Sequence, residues 1–232
     1  MADPSTLSLE THVADLEALR RHFRLGRLAL LAHSGGAAIA LRYTERHPAH
    51  VARVLLVAPL PPARAPYGEE TARAFAPRLD STTRARAATL QASLPTARDP
   101  RAVCRAIASM VIPRAFFADP AAAARMRGDF CTGSPEAMRT QPERLAAFQR
   151  SLPPDWRPIV SGIRAPVLIL HGDHDAIPVA AAEAWVRVLP DARLLVITRA
   201  DHLPWVEQPG PFFAAASEFF AGRWPAGATI AR

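Results

Sequence analysis

Apolar positions along this chain fall into two periods. Short runs dense in Leu, Val and Ile occur at 28–32, 51–58, 167–170 and 193–198, and they predict strands. The first three are almost uninterrupted, as in parallel strands buried on both faces. Between them the apolar spacing lengthens to that of a helix. Over 8–24, Val13, Leu16, Leu19 and Phe23 share one face, Ser8 offers an N-cap, Glu10 lies in the first turn and Gly26 supplies the stop. A second helix follows residue 34 and ends near His47-Pro48, where proline cannot continue it. Further helices are expected at 179–188 and at 209–222, the last carrying Phe212, Phe213, Phe219 and Phe220. Strand, helix and strand over 28–58 make one βαβ unit, right-handed by rule.

From Pro59 to about Pro158 the strand signal disappears. Prolines punctuate this stretch, and Asp99-Pro100, Asp119-Pro120 and Ser134-Pro135 each place a capping side chain before a first-turn proline. Helices are expected at 68–76, 82–94, 100–112, 120–127 and 135–152, with Pro113 and Pro142 breaking or bending the series. The chain thus divides into a core segment 1–60, a helical insert 61–158 and a second core segment 159–232.

Composition changes this picture little. The 232 residues carry a formal charge of +7, and its basic side chains are all arginine, since the chain contains no lysine. The arginines are scattered, without a dense block or interleaved aromatics, so neither a nucleic-acid nor a membrane partner is expected. No apolar run is long enough to span a bilayer. Met1-Ala2-Asp3-Pro4 lacks the basic and apolar regions of a signal peptide. Cys104 and Cys131 match no metal spacing and suggest a reducing compartment, although a disulfide between them stays open. The expected location is cytoplasmic, with no cofactor and no metal.

The candidate chemistry lies where strands end. Ser34 follows the first strand, with Ala32 two residues before and Gly36 two after. That is the nucleophile-elbow pattern G-x-S-x-G with alanine in the first glycine place. Small flanking residues let strand and helix approach closely around a serine in strained dihedrals. Gly35 N–H then opens the helix toward a developing oxyanion. The third strand ends in His171-Gly-Asp-His-Asp175, and the fourth leads into Asp201-His202. Sites in open parallel sheets form beyond such carboxyl ends.

Leu31–Gly36, Gly172–Asp175 and Asp201–Pro209, in the chain order Ser, Asp, His, resemble the three signature segments of the α/β-hydrolase superfamily. The helix before the elbow and the helical insert are most similar to its proline iminopeptidase-like branch. The resemblance implies an α/β-hydrolase fold, a parallel sheet with flanking helices, bearing an inserted helical cap. It implies Ser34 as nucleophile, His202 as general base and Asp175 as the acid orienting it, Asp175 being preferred to Asp173 as the last place of G-x-x-D. Gly35 is the identifiable oxyanion donor. His33, Phe116, Phe117 and Trp156 are candidate substrate-pocket residues, with packing beneath the pocket the competing role for His33 and plain helical core for the aromatics. Phe130 belongs with those aromatics, and Trp205 and Glu207 are expected around the histidine loop.

The chain departs from the family in one respect. Only one helix precedes the elbow, and no His-Gly loop supplies a second oxyanion donor, so the chain reads as N-terminally truncated. The first strand is then expected at a sheet edge, open to self-association. No cap acid can be matched to one that would hold a peptide's amino group; Glu69, Glu70, Asp129, Glu136, Glu143 and Asp155 read as surface charge. The expected function is a serine hydrolase acting through an acyl-enzyme on a small-molecule or short-peptide substrate, at an ester, amide or peptide bond. A carbon–carbon bond hydrolase on the same triad, or a weakly catalytic fragment that only binds, remains open.

Overall fold

A computed structural model describes residues 7–230; the Met1–Pro4 stretch read above lies outside the described residues. In chain order the helices are α1 (Leu9–His22), α2 (Gly36–Arg46), α3 (Tyr67–Phe75), α4 (Ser81–Ser93), α5 (Pro100–Ala115), α6 (Pro135–Arg139), α7 (Gln141–Ser151), α8 (Arg157–Val160), α9 (Val179–Val188), α10 (Pro204–Glu207) and α11 (Pro209–Phe220). The strands are β1 (Leu28–His33), β2 (Val51–Val57), β3 (Val167–Gly172) and β4 (Ala192–Ile197). They form one parallel sheet in the order β1-β2-β3-β4.

The alternation of side chains along the two central strands builds a core on each face. Val54 and Leu56 of β2 and Val167 and Ile169 of β3 pack with α1, α2, α8 and α9. Leu55, Val57, Leu168 and Leu170 face the other way, onto Phe212 and Phe219 of α11. Both strands are therefore apolar at nearly every position. β1 is different. It lies at the sheet edge, and its side chains alternate between half-buried and exposed, with Leu31 55% exposed. An apolar run alone cannot tell an edge strand from a central one.

α1 forms as expected, capped by Ser8 through Thr11 N–H. Val13 is buried, but Leu19 and Phe23, expected on the same inward face, are 53% and 63% exposed. The apolar core takes the N-terminal half of α1, through Leu9 and Val13, and leaves these two outside it. Leu9 and Val13 share the core with Ala37, Leu41 and Tyr43 of α2, and a buried polar contact adds to this packing. Buried Glu17 accepts from Arg20, Arg21 and the Tyr43 hydroxyl, the last at 2.8 Å. The Arg20 hydrogen bond, outweighing burial, holds the Glu17 carboxyl far below its ordinary range.

Between β2 and β3 the described chain contains no sheet strand, only helices and short 3₁₀ turns. Asp80, Asp99, Asp119 and Ser134 each cap an N-terminus there. Pro113 does not break its helix: α5 runs through it to Ala115. The stretch expected as one helix over 135–152 is two, parted at Thr140, with Pro142 in the first turn of the second. The expected helix at 120–127 is a 3₁₀ turn over Pro120–Arg125. Cys104 and Cys131 are joined in a disulfide, Cα to Cα 5.8 Å. The disulfide that the sequence left open is formed, so the cysteines no longer support a reducing compartment. No described helix is long and apolar enough to cross a membrane.

Candidate active site

Ser34 occupies the turn from β1 to α2 with φ 53°, in the left-handed region. Such a conformation costs a non-glycine residue of order 1–3 kcal/mol and persists where surroundings impose it. Here Ser34 N–H donates to Val57 O at 3.0 Å, while Ser34 O accepts from Ala37 N–H and Leu60 N–H. A Cβ added at Gly36 would meet that of Ala32 at 3.9 Å, the close approach that small flanking residues permit. Two other left-handed non-glycine residues, Ala58 and Arg199, also lie just past strand carboxyl ends, after β2 and β4. Backbone strain is thus gathered at the end of the sheet that carries Ser34.

Asp175 follows β3 and His202 follows β4. His202 Nδ1–H donates to Asp175 Oδ2 at 2.9 Å, and both side chains are largely buried. Asp175 Oδ1 accepts from Ile177 N–H at 2.9 Å. Burial alone would raise the Asp175 pKa, but the His202 hydrogen bond, the neighbouring imidazoles and the Ile177 N–H together hold it below its ordinary value. The carboxylate therefore stays ionised and fixes the imidazole with Nδ1 protonated, leaving Nε2 to accept a proton. Asp173 is exposed instead, bonded to His174 at 2.6 Å and to Ala200 N–H. His171 is fully buried beside Asp175, its Nε2–H donating to Ile177 O at 2.8 Å. Burial lowers its pKa.

His33 belongs beneath this pair. Its Nε2–H donates to His202 O at 2.9 Å, and its ring lies 4.7 Å from His202 and 4.8 Å from Trp205. Burial, with the nearby His202, pushes its pKa down to about 4. It supports the histidine loop, the packing role weighed above, and it ties the residue next to Ser34 to the one bearing the imidazole. Of the three candidate aromatics, Phe116 places its ring 5.3 Å from that of His202. Phe117 is instead buried against Leu203 and Val206. Trp156 is a correction: it is 2% exposed and packs on Trp185 in the sheet core, where its bulk fills the space between α8 and α9. Phe130 is 61% exposed, away from His202. Asp129 and Asp155 form ion pairs with Arg105 and Arg157.

Arg78 and Phe148 carry no local sequence signal, whereas Gly172 and Glu207 were placed near this site by the sequence and their partners came only with the structure. A Cβ at Gly172 would stand 2.3 Å from both Ala200 O and Asp201 O, so only glycine lets the histidine loop cross the end of β3. Arg78, from the helical segment, bonds Asp201, Ala115 O and His174 O, clamping that segment to both loops. Burial nevertheless raises the Asp201 pKa to about 6 against the pull of Arg78. Glu207 closes the other side, accepting from Asp201 N–H at 2.7 Å and from Ala118 N–H at 2.9 Å. Phe148 of α7 lies over the elbow, its Cε1 3.9 Å from where a Gly35 Cβ would be.

The fold that places this strained serine after one parallel strand and the buried Asp–His pair after two others is shared with known proteins. The family model for the alpha/beta hydrolase fold matches residues 2–209. The chain belongs to that family. Among curated proteins, the chain is 43% identical over 56 residues to a pimeloyl-[acyl-carrier protein] methyl ester esterase of Aromatoleum aromaticum; the match covers 24% of this chain and 22% of that protein, well short of its length. Among solved structures it resembles a thermophilic esterase from Thermogutta terrifontis, with TM-score 0.65 and 23% identity over 92% of this chain and 72% of that one. A proline iminopeptidase from Mycobacterium smegmatis matches with TM-score 0.63 and 17% identity, over 95% of this chain and 73% of that one. At these identities the likeness is one of fold. A proline iminopeptidase is one neighbour beside several esterases, so the chain is not assigned to that branch.

Proposed function

We propose that this hydrolase cleaves carboxylic esters of small molecules through an acyl-enzyme on Ser34. The observation that carries the reading is the buried His202–Asp175 hydrogen bond at the strand ends beside a left-handed Ser34 turn. In this reading Ser34 Oγ attacks the ester carbonyl as its proton passes to His202 Nε2. The negative carbonyl oxygen of the tetrahedral intermediate turns toward Gly35 N–H at the head of α2. Collapse expels the alcohol, which takes the proton from His202. Water then attacks the acyl-enzyme with His202 again as base, releasing the acid and restoring Ser34. Asp175 keeps the imidazole in the Nδ1–H tautomer and stabilises its cation. The helical segment over 61–158 serves as the cap, since Arg78, Phe116 and Phe148 reach the strand ends from it. Ester rather than peptide substrates are favoured by the esterase neighbours and by the ion pairs that occupy Asp129 and Asp155.

The test is labelling with a fluorophosphonate followed by peptide mass spectrometry. A single adduct on Ser34, absent from Ser34→Ala, supports the reading. Folded protein that takes no label overturns it, in favour of a fragment that binds without turnover.

A further inference from the structure

An apolar cavity separate from the sheet core lies inside the helical segment. It encloses about 360 Å³, within the range of small-molecule sites. One face of α5 forms its floor, through Cys104, Ile107, Ala108, Val111 and Ile112. Leu94, Phe130 and Met138 close it from the other side. The disulfide from Cys104 to Cys131 ties the chain next to Phe130 onto α5. No charged side chain lines the cavity; Gln91 and Gln141 are its polar side-chain groups.

The same face of α5 continues into the candidate active site. Ala108, Ile112 and Phe116 recur at intervals of four, so they lie one above another along the helix. Ile112 lines the cavity, and Phe116, one turn on, rests its ring 5.3 Å from His202. At 1.5 Å per residue, Ile112 is roughly 6 Å and Cys104 roughly 18 Å along the axis from Phe116. Ile112 and Phe116 also share one apolar cluster, so the helix face between the cavity and His202 is apolar.

Resting on the ester-hydrolase reading, we propose that this cavity is the subsite for an uncharged, unbranched alkyl chain of the substrate, entering past Phe116 and Ile112. A chain ending in a carboxylate is disfavoured, because a buried charge with no partner is costly.

The experiment compares p-nitrophenyl acetate with p-nitrophenyl octanoate on the full chain, its Ala108→Trp variant, and Ala137→Phe from the opposite wall. The expected result is a kcat/KM for octanoate at least tenfold above acetate. Each variant should cut octanoate turnover at least tenfold, mainly through KM, while leaving acetate within twofold. Acetate turnover reports that each variant is folded. Equal loss on both esters, or octanoate turnover unchanged in both variants, overturns the subsite while leaving the hydrolase reading intact. Absence of turnover on either ester counts against the hydrolase reading, and calorimetry with 1-octanol then decides the cavity. Saturable 1-octanol binding that Ala108→Trp abolishes sustains it; no binding, or binding equal in the variant, overturns it.

Discussion

His202 Nδ1 stands 2.9 Å from Asp175 Oδ2, and each partner is held from outside the pair. Ile177 N–H fixes the carboxylate, and His33 fixes the main chain that carries the imidazole. If this pair orients the base, Asp175→Asn should lower kcat on p-nitrophenyl acetate by roughly 10⁴, since an amide no longer holds the productive tautomer. Asp173→Asn should change it less than threefold, because Asp173 is exposed and bonded to His174. Steady-state kinetics on both variants checks this. Reversed effects would make Asp173 the acid.

The Arg78–Asp201 pair makes a stability prediction. Asp201 is almost wholly buried, so Arg78→Met strands a carboxylate and should cost about 3 kcal/mol. Denaturant unfolding measures it. The double variant Arg78→Met/Asp201→Asn should recover part of the loss.

Asp201 also carries a pH signature. Its pKa is raised from an ordinary 3.8 to about 6 by burial, so between these values the folded state holds a proton that the unfolded chain has released. Stability from this group is full below pH 4, falls as pH rises through 6 and is flat above. His33, lowered from 6.5 to about 4, acts with the opposite sign, its stability fading as pH falls through that window. Thermal melts from pH 4 to 7 should therefore show Asp201→Asn gaining stability with pH relative to the parent protein. An unchanged difference across the window would contradict the assignment.

Gly172→Ala should misplace the histidine loop, because the added carbon meets two carbonyl oxygens at 2.3 Å. A displacement near 1 Å at a reacting group can cost about 10² in rate. We expect a loss of that order in kcat with a lowered melting temperature. Activity retained within twofold would show that the loop yields without consequence.

β1 ends the sheet with Leu31 exposed and with no lysine or proline to block pairing, and Leu19, Phe23 and Leu25 just before it in the chain are exposed too. Residues 1–232 should self-associate through β1. Light scattering should show mass growing with concentration, and Leu31→Arg should reduce it. A monodisperse monomer at all concentrations would refute this.

The sequence alone determined the elements whose signal is local. Strands β2 and β3 were legible because both faces of each are buried, and Ser34 because its small neighbours mark the turn. Asp175 and His202 were legible from their places after strands, and their meeting across 27 residues follows once both strands lie side by side in the sheet. Tertiary structure alone decided the rest. Trp156 read as a pocket aromatic and became core, since its spacing is the same in either role. Leu19 and Phe23 follow a helical stripe yet stay exposed, outside the core that takes Val13. Arg78 is one arginine in a chain whose basic residues are all arginine, and only the fold brings it to Asp201 across 123 residues. Glu207 was expected at the histidine loop, and only its second bond, to Ala118 N–H across 89 residues, needed the fold; Gly172 and Phe148 act through close approach to distant segments, which imposes no period on the residues around them. Periodicity records which side of an element meets the core, whereas the partner it meets is settled by packing between segments far apart in the chain.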